Sequence, residues 1–196
     1  MDSLEKSKLT HSINELILIL ERSKNNSFIS EFEDLVKKTN EVLLNKGTIF
    51  FAGNGGSASD ADHFATEFVV RYHKNRKSLP AISLAANSGL ITACANDYGF
   101  NEIFKRQCES LIDKKDLVIC LSTSGSSSNI ISLLQMCKDK QINHLMISGG
   151  KTPKNIRKSF KTFIINSDCT ARIQEIQKLI LHSLCEQLDI LYSEND

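Results

Sequence analysis

Apolar positions recur at helical spacing twice before the chain becomes strand-like. Residues 4–22 carry Leu9, Ile13, Leu16, Ile17 and Leu20 on one stripe. Residues 27–45 repeat the pattern with Phe28, Phe32, Leu35, Val36, Val42 and Leu43. Gly47 stands where the second helix is expected to stop. From there the apolar runs shorten to four or five residues, at 48–52, 81–84, 117–121, 145–148 and 162–165. None alternates polar with apolar, the pattern of strands buried on both faces. Helical segments separate the runs, at 58–72, 88–95 with 102–111, 129–140 and, more weakly, 154–159. A last long helix is expected over about 171–192. Strands alternating with helices predict a parallel sheet covered on both faces, with a ligand crevice at the strand ends. The helical pair over 1–46 either covers the sheet or packs against another subunit.

With 196 residues the chain is long enough for one domain with a sizeable core. Lys and Arg total 24 against 23 Asp and Glu, a net charge of +1, which argues against broad nucleic-acid binding and leaves room for one small anion site. No apolar stretch approaches the ~20 residues of a membrane span, and the mixed-charge start does not read as a signal peptide. The six cysteines form no CxxC pair and sit mostly in apolar segments. They are expected to be reduced and buried, in a cytoplasmic protein.

The candidate chemistry lies in five segments. Gly53-Asn54-Gly55-Gly56-Ser57 joins a strand to a helix, so backbone can approach a ligand closely. It is neither GxGxxG nor a P-loop. Ser122-Thr123-Ser124-Gly125-Ser126-Ser127-Ser128 places six hydroxyls at a helix start, where free N–H groups suit a phosphate. His63 and Glu67, at i and i+4, share a helix face and could hold a metal, transfer protons, or form a solvated pair. Asn96-Asp97 could bind sugar hydroxyls or cap a helix. His182, among Leu179, Ile180, Leu181 and Leu184, reads by itself as a core histidine.

Taken together, GNGGSASDADHFATEF (53–68), NDYGF (96–100), STSG (122–125) and TARIQE (170–175) with His182 resemble the phosphoheptose isomerases of the SIS (sugar isomerase) superfamily. The resemblance runs from about residue 48 to 189. It implies a single SIS domain over 1–196: a three-layer αβα sandwich around a five-stranded parallel, flavodoxin-like sheet, preceded by two helices used in oligomer packing. It implies aldose–ketose isomerisation of sedoheptulose 7-phosphate to D-glycero-D-manno-heptose 7-phosphate, the first step toward nucleotide-activated heptose for surface polysaccharide such as lipopolysaccharide or capsule. The implied partner is a small phosphosugar, with no nucleic acid and no membrane. The implied assembly is a homotetramer with one zinc per subunit. His63, Glu67, Gln174 and His182 would be the metal ligands, and Glu67 and His182 the proton-transfer pair. Ser122, Thr123, Ser124 and Ser127 would hold the phosphate. Asn54, Gly55, Gly56, Ser57, Asn96, Asp97, Glu67 and Gln174 would contact the sugar.

Three positions depart from the family pattern: Asn87 for an acid, Cys169 for a second acid and Gln177 for a histidine. A non-enzymatic SIS binder of the replication-initiator-associating type, or an SIS isomerase for a different phosphosugar, is the alternative. The first lacks the Glu and His matched by Glu67 and His182. Gln174 and His182 lie eight residues apart, ~12 Å along a straight helix. Either Gln174 precedes the regular helix, or the two residues serve different copies of the site, which places active sites at subunit interfaces in the homotetramer.

Overall fold

The computed structural model describes residues 7–193; the expected start of the first helix at residue 4 lies outside them. Eight α-helices and five strands alternate as the sequence predicts. α1 (Lys8–Ser23) and α2 (Asn26–Leu44) precede β1 (Ile49–Gly53). Then follow α3 (Gly56–Val69), β2 (Ala81–Ser83), α4 (Ser88–Tyr98), a 3-10 turn (Phe100–Glu102) and α5 (Lys105–Leu111). β3 (Leu117–Ser122), α6 (Ser128–Asp139), β4 (Asn143–Gly149), α7 (Lys154–Ser159), β5 (Thr162–Ile165) and α8 (Thr170–Tyr192) complete the chain. All strand pairs are parallel, in the order β2-β1-β3-β4-β5. That is the flavodoxin-like order, whose switch point lies between β1 and β3.

Period-two alternation within each strand divides the core in two. Ile49, Phe51, Ile119 and Leu121 pack with α2, α3 and α8, whereas Phe50, Ala52, Val118 and Cys120 pack with α4, α5 and α6. β1 and β3 are buried throughout, as expected of central strands. The edge strands β2 and β5 are covered less fully, because each has one neighbour: Ile82 is exposed, and Thr162 and Ile164 are half-buried.

The two N-terminal helices differ in what they bury. α2 contributes Leu35, Val42 and Leu43 to the core; α1 contributes Ile19 alone. Leu9, Ile13 and Ile17 of the predicted α1 stripe, with Leu18, face outward. Asn25 starts α2 by accepting from the Phe28 N–H at 3.0 Å. The left-handed residue that stops it is Lys46, with φ 57°, and not Gly47. Five of the six cysteines are buried and all six are free thiols. Burial pushes Cys108, Cys137 and Cys185 up to about 12, which leaves them inert.

Candidate active site

Two distinct regions carry the candidate residues. The first is the crevice at the carboxyl ends of β1 and β3. Gly55 adopts φ 56° there, so the β1 loop can turn sharply into α3, which has no side-chain cap; the Ser57 and Ala58 N–H groups donate to the Asn54 and Gly55 carbonyls, both at 3.0 Å. In the β3 loop, Gly125 adopts φ 63°, and a Cβ there would lie 2.3 Å from Thr152 Oγ1. The Gly125 N–H donates to Ser122 Oγ and the Ser126 N–H to Ser124 Oγ, both at 3.2 Å. Ser122 and Ser127 Oγ atoms stand 3.5 Å apart. Ser127 caps α6 without a side-chain bond to its N–H groups, which leaves donors for an anion. The two loops are bolted together. The Asn54 side-chain amide donates to Asn129 Oδ1 at 2.9 Å, and the Asn129 amide donates back to Asn54 Oδ1 at 2.8 Å. Sequence reading missed Asn129, whose only local signal is a place in the first turn of α6.

Around this crevice lie other predicted residues. Ser57 is buried in the first turn of α3. Gln174 packs against Gly56: a Cβ on that glycine would meet its Nε2 at 2.6 Å. Asn96 and Asp97 are exposed in the last turn of α4, with the Asn96 amide donating to Asp97 Oδ1 at 2.8 Å. Asn101, just beyond, accepts from Ser128 Oγ at the head of α6.

The second region is the seam between α3 and α8. The helices run side by side in the same direction: Gly56 faces Gln174, Asp60 Oδ1 is 3.2 Å from Lys178 Nζ, and His63 meets His182. The two imidazole Nε2 atoms are 3.1 Å apart, and His63 Nε2 is 3.5 Å from Glu67 Oε1. His182 stacks on Tyr72 at 5.4 Å and meets the Phe64 edge at 5.0 Å. Burial pushes its basicity down and neighbouring His63 adds to the effect, which favours the neutral imidazole. His182 is therefore a histidine paired across two helices, not a lone core residue. Tyr72 gave no signal in the sequence.

Imidazole and carboxylate are zinc donors, and tetrahedral ligands at ~2.0–2.1 Å stand about 3.3–3.4 Å from one another. The 3.1 and 3.5 Å contacts fit two edges of such a site. Among the described residues no three His, Cys, Asp or Glu side chains stand close enough together to enclose a metal ion as they are placed. Gln174 does not join this cluster. It lies inside α8, which begins at Thr170, so the expectation that it could precede the regular helix fails. The unbroken helix keeps it ~12 Å along the axis from His182.

Asn87 caps α4 by accepting from the Leu90 N–H at 3.0 Å. Cys169 precedes α8 without capping it. Gln177 is fully buried and donates to the Ile147 carbonyl at 2.7 Å, with its Oε1 unpartnered.

The SIS domain profile matches residues 13–149. A phosphoheptose isomerase of Helicobacter pylori (strain P12) is 45% identical over 149 residues, 76% of this chain and 78% of that protein. One from Thermodesulfovibrio yellowstonii is 38% identical over 190 residues, 95% of this chain and 93% of its own. The chain belongs to the phosphoheptose isomerase family of SIS domains. The fold agrees with that of a solved family member, a phosphoheptose isomerase from Francisella tularensis. It superposes with TM-score 0.88 at 30% identity, over 97% of this chain and all of the other. In this SIS domain the family motifs thus occupy two places, the switch-point crevice and the α3–α8 seam.

Proposed function

We infer that the protein is an aldose–ketose isomerase that converts sedoheptulose 7-phosphate to D-glycero-D-manno-heptose 7-phosphate, supplying heptose for lipopolysaccharide or capsule. The observation that carries this is the His63–Glu67–His182 cluster in a chain 38% identical to a phosphoheptose isomerase over 190 residues. The reaction moves one proton between adjacent carbons through an enediol. The Glu67 carboxylate takes the proton from C1 of the ketose. Neutral His182 carries a proton from the C1 oxygen to the C2 oxygen. Glu67 then returns its proton to C2, and no net proton is gained or lost. Ser122, Thr123, Ser124, Ser127 and the free N–H groups of α6 anchor the phosphate. Asn54, Gly55, Gly56 and Ser57 border the sugar, with Asn96 and Asp97 on the flank. His63, Glu67 and His182 would hold a zinc ion, one per subunit. When bound, zinc polarises the substrate oxygens.

Geometry favours a site shared between copies. His63 and Glu67 lie seven and eleven residues beyond Gly56, about 10 and 16 Å down α3. The serine loop opens α6 on the opposite face of the sheet. At about 1.2 Å per bond, an extended heptulose 7-phosphate spans only about 10 Å from phosphorus to C1. One chain's phosphate loop therefore falls short of its own Glu67. The outward apolar stripe of α1 (Leu9, Ile13, Ile17) and the exposed Val69, Val70 and Leu179 offer surface for assembly, here assigned to a homotetramer. A zinc contact from Gln174 would serve the cluster of another copy. No helix of the described residues is long and apolar enough to cross a membrane, and the proposed location is the cytoplasm.

The test is an NMR screen of ketose phosphates of five, six and seven carbons, with and without zinc. Turnover of the seven-carbon substrate is expected. Turnover of none, or of a shorter ketose alone, would overturn the reading.

A further inference from the structure

About two turns along α8 from His182 lies a buried ion pair that the proposed isomerisation does not use. Arg76 and Asp189 side chains are 0% and 2% exposed, with Arg76 Nε 2.8 Å from Asp189 Oδ1. Two chemically costly groups have been taken out of water together, and such a pair is a weak source of stability by itself. Its hydrogen bonds point to another role. Arg76 Nη2 donates to the carbonyl of Glu67 at 2.7 Å, and Nη1 donates to the carbonyls of Phe68 at 2.9 Å and Lys77 at 3.2 Å. The guanidinium thus caps the carboxyl end of α3, where cationic charge is favoured by the helix dipole. Asp189 belongs to α8, seven residues after His182 and on the same helix face. Its other oxygen accepts from the backbone N–H groups of His73 at 2.6 Å and Lys74 at 2.8 Å.

Glu67 rides on α3 and His182 on α8, so their spacing depends on how the two helices are locked. We propose that the Arg76–Asp189 pair is a positioning clamp: it fixes the register of α3 against α8 and so holds Glu67 in place against His182. Arg76 grips the main chain of Glu67 itself, and Asp189 grips both Arg76 and the segment that returns from α3. The role in turnover rests on the isomerase reading above; the role in register does not.

The experiment replaces the pair by apolar groups of similar volume, Arg76→Met with Asp189→Leu, a change that buried ion pairs often tolerate without loss of stability. Arg76→Lys serves as the milder variant: it keeps a charge for Asp189 but cannot reach three carbonyls at once. Steady-state kinetics are measured beside an NOE between the Hε1 protons of His63 and His182 in otherwise deuterated protein. With thermal unfolding close to that of the parent, the double variant should lose about 10²-fold in kcat, with KM within about twofold, because misplacement by about 1 Å has that effect. The NOE should vanish. Arg76→Lys should lose about tenfold in kcat. Parental kcat in the folded double variant, or a change confined to KM, would overturn the clamp. Should the double variant not fold, parental kcat in Arg76→Lys would overturn it equally. If the parent protein turns over no heptulose phosphate, the isomerase reading fails. The NOE alone then decides the clamp: retained in the folded variant, it refutes it, and lost, it supports it.

Discussion

The crevice and the α3–α8 seam solve different problems with different materials. The crevice is made of backbone. Positive-φ glycines turn two loops, the start of α6 lacks a side-chain cap and leaves N–H donors, and hydroxyls fill the gaps. No lysine or arginine stands in the serine loop, so the phosphate proposed to bind there would be held by neutral donors and could also leave. The seam is made of side chains. Two imidazoles, a carboxylate and a tyrosine ring meet across two helices, with a buried arginine–aspartate pair beneath. Binding tolerates distributed, individually weak contacts; proton transfer requires two named groups at fixed spacing. The regions should therefore fail differently when altered.

The sharpest contrast is expected at Glu67. Glu67→Gln keeps the size and removes the proton acceptor, so kcat should fall by about 10²–10⁴-fold. Binding of sedoheptulose 7-phosphate, followed by calorimetry, should persist. Near-parental turnover would move Glu67 from chemistry to structure and erase the distinction between the regions.

Smaller, graded losses are expected in the crevice. Ser124→Ala and Ser127→Ala should each weaken substrate binding by about 0.5–1.5 kcal/mol, the net value of one hydrogen bond. The same calorimetric titration reads this directly. Unchanged affinity in the double variant would mean that the serine loop does not hold the phosphate.

The smallest effect belongs beneath the seam and is a change with pH. Burial pushes the Asp189 carboxyl up, but the Lys74 N–H, the Arg76 guanidinium and the His73 N–H outweigh it and hold it below the usual carboxylate value. A group depressed in the folded state contributes stability above its unfolded value of ~3.9, and that contribution is lost as pH falls through the lower folded value. The Tm gap between parent and Asp189→Asn should thus narrow between pH 7 and about pH 3. A gap independent of pH would show that the carboxylate charge does not matter there.

The two regions also differed in legibility. Strands, helices and both crevice loops follow from local pattern, since each loop is one contiguous segment whose glycines and serines announce it. Departures fell at edges, where β2 and β5 have one neighbour each and α1 keeps its apolar stripe outside. The seam is assembled from positions far apart in sequence. His63 and His182 are 119 residues apart, and Arg76 and Asp189 are 113 apart. Periodicity marks His182 as a core residue, and only the family resemblance joined it to Glu67. Arg76, Asp189 and Tyr72 carry no local signature, and Asn129 only its place in the first turn of α6, because their meaning lies in partners that the fold supplies. Gln174, which the resemblance groups with the metal ligands, lies about two turns from His182 on the same helix.

In the proposed assembly one copy's phosphate crevice works with another copy's proton-transfer cluster. Mixing two inactive variants tests it. Glu67→Gln has an intact crevice. Ser124→Asp with Ser127→Asp has an intact seam and a crevice that repels phosphate, and Asp at 127 still suits a helix cap. After dissociation and random reassembly, with mixed tetramers verified by native mass spectrometry, about a quarter of the sites should pair an intact crevice with an intact cluster. Activity should return to about that fraction of the parent's. Activity no higher than the sum of the two variants alone would contradict the account and place crevice and cluster of each site in one chain.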